Sequence, residues 1–460
     1  MNVVILAAGK GTRMKSALPK VLHPVGGVPM LGHVLWTALS LQPKTVTVVI
    51  GHGADRVRQT FESALQSSDV PVHWAIQDPP QGTGHAVQQA VPYLKPGHTT
   101  LVLYGDVPLI RAKTLARLQD CAEKHGGMAL LTATLDNPHG YGRILRNAKD
   151  EIIGVVEEKD ADAATKTIRE INTGVLIAPT NRLIAWLSAL TNHNSQQEYY
   201  LTDIIAMASK SKHTIGSVAP QSGEEILGIN SQAQRAELER HYQQRLAQQL
   251  MDEGVQIMDP ARIDIRGKLQ CARDVLIDVG CVFEGDVTIE QGASIGPHCV
   301  IRNSKIGAGA KIEAFSHIEE TLVGPKASVG PYARLRPGSQ LEEGAHVGNF
   351  VELKNTRLGP RSKANHLSYL GDATIGSRVN VGAGTITCNY DGAEKHRTVI
   401  EDDAFIGSDT QLVAPVTVGK GATLGAGTTL TQDAPAETLT LSRSPQVTVK
   451  GYRRPHKKAH

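Results

Sequence analysis

Hydrophobic residues in the second half of the chain recur every six positions. Ile277, Phe283, Ile289, Ile295 and Ile301 keep that step. After a five-residue step it resumes at Ile306, Ile312 and Ile318, then at Val323, Val329, Leu335, Leu341, Val347 and Leu353. A last run takes in Ile406, Leu412, Val418, Leu424 and Leu430. A period of six belongs neither to an α-helix nor to alternating hairpin strands. It is the spacing of a parallel β-helix built from hexapeptides, three to a triangular coil. A small residue stands two places before many of these aliphatics (Ala293, Ala310, Ser316, Ala327, Ala333, Ala345, Ala422), as a narrow interior requires. Glycine often follows them (Gly296, Gly307, Gly330, Gly348, Gly376, Gly382, Gly407), which predicts that these glycines turn the corners.

The first half has a different pattern. Val3 to Ala8 is a continuous apolar run, the mark of a strand buried on both faces. Further apolar runs, Val46 to Ile50, Val72 to Gln77, Leu101 to Tyr104 and Ala129 to Thr134, alternate with helical stretches. The alternation predicts a Rossmann-like, mostly parallel sheet with helices on both faces and ligand at the carboxyl ends of its strands. Between the halves, Ser231 and Gln234 have the form of a capping box. Leu238, Tyr242, Leu246 and Leu250 then continue at helical spacing, and Gly254 ends the run. The expected division is a domain at 1–229, a linker helix at 230–251 and a β-helix at 252–460.

Composition narrows the classes. Aromatics make up only 4% of the 460 residues, which suits a core of Ile, Val, Ala and Ser. A net charge of +3 implies no nucleic-acid footprint. The one basic cluster is the tail, Arg453, Arg454, Lys457 and Lys458, a solvated end that also suits attraction of a polyanion. Cys121, Cys271, Cys281, Cys299 and Cys388 are scattered without a CxxC, which argues for reduced thiols in a cytoplasm and against a zinc site. The N-terminal apolar run is too short to span a membrane.

Candidate chemistry starts after the first strand. Gly9-Lys10-Gly11-Thr12-Arg13-Met14 is a loop whose backbone N–H groups can close on a phosphate, with Lys10, Arg13 and Lys20 to neutralise it. Its spacing is neither that of a Walker A loop nor of a dinucleotide fingerprint. Leu101 to Asp106 delivers an aspartate at a strand end, where a hard oxygen ligand can hold Mg²⁺ against phosphates. The stretch Leu6-Ala7-Ala8-Gly9-Lys10-Gly11-Thr12-Arg13-Met14, with Pro19-Lys20-Val21-Leu22, closely resembles the signature of the sugar-1-phosphate nucleotidyltransferases. Gln77, the segment Gln81 to Ala86, and Gly142, Glu157, Asn172 and Asn230 in their local motifs resemble the UDP-N-acetylglucosamine pyrophosphorylases among them. That resemblance implies a UTP and sugar-nucleotide site made by Leu6, Ala7, Ala8, Gly9, Arg13, Lys20, Gln77, Gly82, Thr83, Tyr104, Gly105, Asp106, Gly142, Glu157, Asn172 and Asn230. It also implies Mg²⁺ held by Asp106 and Asn230. Taken singly, each of these residues has a plain structural role open to it: helix cap, turn former or solvated strand end.

In the second half, Arg336, Lys354, His366 and Tyr369 carry polar chemistry that a repeat does not need, and Cys388 to Arg397 is an insertion in the spacing. Insertions in solenoids collect on the binding face. Among these side chains the histidine is the one that titrates near neutrality, so it is the one fit to take a proton. The constellation resembles the acetyltransferase half of the bifunctional enzyme that makes UDP-N-acetylglucosamine, and the likeness spans essentially the whole chain. It implies a left-handed β-helix, usually assembled as a homotrimer. His366 is then the base, and Arg336, Lys354, Tyr369 and Asn380 hold glucosamine-1-phosphate. Ala383, Asn389, Tyr390, Ser408, Ala426 and Arg443 contact acetyl-coenzyme A. The implied product feeds peptidoglycan and lipopolysaccharide synthesis, and with it cell wall biogenesis and cell shape. Two other readings stay open: a single-site nucleotidyltransferase with a structural β-helix, and a non-enzymatic scaffold.

Overall fold

Apolar strands with no polar face pair side by side at the centre of the first unit. The structure, a computed structural model, describes residues 1–456; Lys457 and Lys458 of the basic tail lie outside the described residues. The chain divides into two compact units, Met1–Tyr242 and Gln243–His460. In the first, strands β1 (Asn2–Ala7), β2 (Thr45–Ile50), β3 (Val72–Ile76), β4 (Thr99–Tyr104), β5 (Ala129–Thr134), β6 (Gly142–Arg146), β7 (Ile152–Val156), β8 (Glu170–Pro179) and β9 (Gly216–Val218) form one sheet. The order is β9-β5-β8-β4-β1-β2-β3, with β6 pairing β8 and β7. All path neighbours are parallel except those of β8, which runs against both β4 and β5. One apolar cluster built on Val3, Ile5, Val46, Val48, Leu101 and Leu103 covers one face of this sheet. A second, built on Val4, Leu6, Val49, Val102 and Leu130, covers the other, as period-two alternation in a doubly covered sheet demands.

The capping signal at Ser231 opens a helix at Gln232–Asp252. Ser231 Oγ accepts from the Gln234 N–H at 3.2 Å, but Gln234 Oε1 reaches back to the Asn230 N–H at 2.8 Å rather than to that of Ser231. At the far end Val255 N–H donates to Leu250 C=O and Gly254 has a φ of +99°, so the helix stops where expected.

In the second unit the period-six aliphatics face inward in a continuous stack, nearly all of them fully buried. Strands pair in parallel with the coil above: Ile277 with Ile295 eighteen residues on, and Ile295 with Ile312 seventeen on. The five-residue step is therefore the corner of a shorter coil. The insertion is equally visible, since Val381 pairs with Ile406 twenty-five residues ahead. Buried hydroxyls close the interior corners: Ser362 Oγ donates to Gly376 C=O at 2.6 Å, and Thr356 Oγ1 to Leu370 C=O at 2.9 Å. These hydroxyls give the Gly376 and Leu370 carbonyls a further partner inside a narrow core.

The expectation for the glycines that follow the aliphatics is corrected. The left-handed corner residue comes two or three places after the aliphatic and is often not glycine: His298, Phe315, Tyr332, Phe350, Arg361, Asp372 and Arg378 all have positive φ. Gly348, directly after Val347, does not; a Cβ there would lie 2.0 Å from the backbone oxygen of Asn365 in the next coil. Gly296, Gly307, Gly382 and Gly407 are crowded in the same way by backbone atoms at 2.5–2.9 Å. These glycines serve coil-on-coil approach and not backbone conformation. Gly330 alone of those named has positive φ, at +104°.

Candidate functional site

The carboxyl ends of β1 and β4 meet a cavity of about 270 Å³ lined by Leu6, Ala7, Ala8, Gly9, Lys20, Gln77, Gly82, Thr83, Tyr104 and Asp106. All ten were expected from sequence. Val21 and Ala86, which lie within the quoted motifs, also line it, as do Pro80 and Glu198, which no motif singled out. Gly9 has open space where a Cβ would stand, so its backbone lies bare to the cavity side. Gln77 is buried, and its Nε2 donates to Gly82 C=O at 2.9 Å, tying the end of β3 to the start of the helix Thr83–Ala90. The Gly105 N–H donates to Leu6 C=O, which holds the end of β4 against β1. Arg13 is exposed on the one-turn helix Thr12–Met14.

Two oxygens from distant parts of the sequence converge here. Lys20 Nζ lies 2.5 Å from Asp106 Oδ2 and 2.7 Å from Asn230 Oδ1. Asn230 is brought in by the Ile229 N–H, which donates to the Asp106 C=O at 3.0 Å. Among the described residues no group of three or more His, Cys, Asp or Glu side chains is placed to hold a metal ion. One carboxylate and one amide oxygen around a cation still fit a hard divalent ion that takes its remaining ligands from phosphates and water.

The expected sugar residues form a second cluster in the same unit. Gly142 pairs with Asn172 across β6 and β8, and a Cβ at Gly142 would come 3.3 Å from Glu157 Oε2. The consecutive acids at the end of β7 go to opposite sides. Glu158 pairs with the buried Arg143 at 2.7 Å, while Glu157 accepts from Thr202 Oγ1 at 2.9 Å. Burial holds the Glu157 carboxyl above its ordinary range, opposed by that hydroxyl. Burial, then the charges of Glu157 and Asp106, push the Tyr104 phenol well up. Asn172 Oδ1 accepts from the Gly174 N–H at a break in the β8 register.

In the β-helix, two columns of side chains assemble from successive coils. The first joins Arg336, Lys354 and Tyr369. The Arg336 N–H donates to Leu353 C=O, while Glu352 and Lys354 pair with Tyr369 and Gly371. Arg336 Nη1 is 2.8 Å from Glu352 Oε1. Lys395, from the insertion, stands beside Lys354; its ammonium, followed by desolvation and then the Arg336 guanidinium, holds Lys354 below the usual lysine range. Arg336, Lys354 and Lys395 bring three cations together, with Glu352 paired to Arg336 and Asp372 near Lys354, and make a place for an anion. Lys395 was missed because only the fold of the insertion decides which of its charges turns inward. Asn389, also from the insertion, is buried and donates to Asp372 Oδ2 at 2.6 Å, while Tyr390 is exposed.

The second column runs along one corner. Asn349 pairs with His366, and His366 Nδ1 is 3.1 Å from Asn349 Oδ1. An amide oxygen only accepts, so Nδ1 carries a proton, and in the neutral ring the lone pair is on Nε2, with the amide placed as it is. The same corner of later coils is occupied by Ala383, Ser408 and Ala426, as the bonds from Gly384 to Leu367, Asp409 to Ala383 and Gly427 to Ser408 require. Arg443 stands at its end, its guanidinium 3.5 Å from a Cβ placed on Gly425. Asn380 pairs with Lys363, one strand back on the same sheet. One position further round the corner, the early coils carry a stack of His298, Phe315, Tyr332 and Phe350, with ring centres 4.9–5.5 Å apart. Leu367 continues that column, and beyond it the positions become Gly384, Asp409 and Gly427. The ridge therefore ends where the row from Ala383 to Ala426 begins.

A cavity at the strand ends of a mostly parallel sheet, and a hexapeptide β-helix that carries a histidine and a cluster of cations, fit a bifunctional transferase: a nucleotidyltransferase and a hexapeptide acyltransferase in one chain. Residues 3–254 match the family described as MobA-like NTP transferase domain. Residues 265–365 match the GMPPB C-terminal domain, and residues 397–432 the bacterial transferase hexapeptide (six repeats). Curated relatives called Bifunctional protein GlmU match throughout. The one from Bordetella parapertussis is 58% identical over 100% of both chains; the one from Azoarcus sp. is 58% identical over 99% of this chain and 100% of its own. Among solved structures, UDP-glucose pyrophosphorylase complexed with UDP-glucose covers 53% of this chain and 98% of its own, at 17% identity and a TM-score of 0.45. The chain belongs to the GlmU family, with the dual acetyltransferase and uridylyltransferase role of that family, and nothing favours the single-site alternative.

Proposed function

We propose that residues 1–229 transfer uridylyl from UTP to N-acetylglucosamine-1-phosphate. Residues 252–460 first acetylate glucosamine-1-phosphate from acetyl-coenzyme A, and the helix at 230–251 joins them. The convergence of Lys20, Asp106 and Asn230 in the cavity beside Gly9 carries the first half of this reading. The sugar phosphate, already ionised, attacks the α-phosphorus in line and pyrophosphate leaves, so the protein's work is positioning and charge neutralisation. Asp106 and Asn230 would hold Mg²⁺, which supplies charge stabilisation at the reacting phosphates. Gln77, Gly82 and Thr83 sit where a base and ribose are read. Glu157, Asn172 and Gly142 form the sugar side, with Arg13 and Lys20 on the phosphates.

The second half rests on the His366–Asn349 pair. His366 Nε2 takes the proton of the glucosamine nitrogen as that nitrogen bonds to the thioester carbonyl carbon. The carbon–sulfur bond breaks and the coenzyme thiolate leaves. Arg336, Lys354 and Lys395 hold the sugar phosphate, with Tyr369 and Asn380 beside it. Ala383, Ser408, Ala426 and Arg443, with Asn389 and Tyr390, follow the coenzyme. The exposed column Phe315, Tyr332, Phe350 and Leu367 supports assembly of copies, which we read as a homotrimer. Five unpaired thiols support a cytoplasmic setting. Among the described residues no helix is long and apolar enough to cross a membrane.

The test separates the two reactions. His366→Ala should abolish acetyl transfer and leave uridylyl transfer nearly intact, and Asp106→Ala should do the reverse. Loss of both activities from either change in a folded protein argues against two independent sites.

A further inference from the structure

The two oxygens assigned above to the divalent ion already share a cation. The Lys20 ammonium touches both, at 2.5 and 2.7 Å, and the side chain is only 10% exposed. Its base is fixed. Lys20 opens a one-turn helix with the buried Val21 and Leu22, and its Cβ passes under Gly11, where a methyl group would come within 2.6 Å. Gly11 has a φ of +61°, so glycine is favoured there on both counts. The mobile part of Lys20 is therefore its distal chain, a flexible stem that ends in a compact charge.

A sheltered carboxylate needs a partner, and in the absence of substrate the lysine provides it. A hard divalent ion binds oxygen at about 2.1 Å, closer than the ammonium sits, so the same two oxygens cannot serve both cations together. We infer that Lys20 is a resident stand-in for the divalent ion, holding Asp106 and Asn230 in place and releasing them only as a nucleotide triphosphate takes up its ammonium. A divalent ion arriving alone must expel Lys20 from its ion pair with Asp106. A triphosphate arriving alone must compete with Asp106 for the lysine. When both arrive, each positive charge keeps a negative neighbour, so the exchange at Lys20 adds to the coupling that phosphate ligation of the ion gives directly. The inference rests on the proposed reading of Asp106 and Asn230 as metal ligands.

Mn²⁺ binding to the full-length protein, followed by electron paramagnetic resonance with and without a non-hydrolysable UTP analogue, tests it. The unsubstituted protein should bind Mn²⁺ weakly alone and about tenfold more tightly with the analogue. By reciprocity the analogue should gain the same factor from Mn²⁺. Lys20→Met should bind Mn²⁺ alone about tenfold more tightly than the unsubstituted protein, with a correspondingly smaller gain from the analogue. Lys20→Arg, which keeps the charge, should remain a weak binder. Absence of coupling in the unsubstituted protein overturns the exchange, as does unchanged Mn²⁺ affinity in folded Lys20→Met. Asp106→Ala separates the failures. If it abolishes Mn²⁺ binding while Lys20→Met changes nothing, only the exchange is wrong. Mn²⁺ binding that survives Asp106→Ala removes the ligand assignment and the exchange with it.

Discussion

Replacing Gly348 by alanine tests whether the glycines that follow the aliphatics serve the approach of coils or the turning of corners. The new Cβ would stand 2.0 Å from the Asn365 oxygen and 2.7 Å from its carbonyl carbon and Cα. All three belong to the next coil, and backbone atoms do not swing aside as a side-chain tip does. Relief requires the coils to part locally by about 1 Å, at an overpacking cost of about 1–3 kcal/mol. The parting also strains the bond from the Leu367 N–H to Asn349 C=O, already 3.2 Å long, and the His366–Asn349 contact. At about 1 kcal/mol for a hydrogen bond, the whole change comes to about 3 kcal/mol. For a unit of this size that lowers Tm by about 6–12 °C. Gly292 is the comparison: it has a φ of +68° and nothing within 4 Å of a Cβ, so Gly292→Ala meets only the left-handed penalty of about 1–2 kcal/mol. Thermal unfolding by circular dichroism, with acetyl and uridylyl transfer assayed on the same samples, gives the comparison. Gly348→Ala should lose the larger share of Tm and about tenfold or more in acetyl transfer, with uridylyl transfer unchanged. Equal losses from the two substitutions, or acetyl transfer untouched by Gly348→Ala, would refute the reasoning.

Two further predictions follow from charge. Lys395→Ala should raise the KM for glucosamine-1-phosphate about tenfold with a smaller effect on kcat, as removal of one cation from a phosphate pocket does, and steady-state kinetics at fixed ionic strength will read it. Glu157→Gln keeps an acceptor for Thr202 but removes a carboxyl whose pKa is raised in the folded state mainly by burial. Such an acid disfavours folding once pH exceeds its folded pKa and costs nothing below its unfolded pKa. The substitution should therefore raise Tm by about a degree or two at pH 8 and lose that advantage near pH 4, while uridylyl transfer falls. A stabilisation that persists unchanged at pH 4 would rule out the ionised carboxylate as its source.

Much of this protein is decided locally. The six-residue period requires a coil whose side chains point inward at fixed intervals, because no other regular backbone buries every sixth residue. The apolar runs ending in Gly9 and Asp106 likewise bring a glycine loop and a carboxylate to one edge of a parallel sheet, since strand direction and crossover leave that edge for ligands. Other features depend on atoms far apart in sequence. The job of Gly348 is set by Asn365 in the next coil, which the residues beside it do not reveal. Lys395 acquires its place only when the insertion folds back on Lys354, and Asn349 becomes the partner of His366 through a register seventeen residues long. Lys20 meets Asn230 across more than two hundred residues, and only the tertiary fold puts an ammonium between two oxygens that local pattern would leave open to a metal.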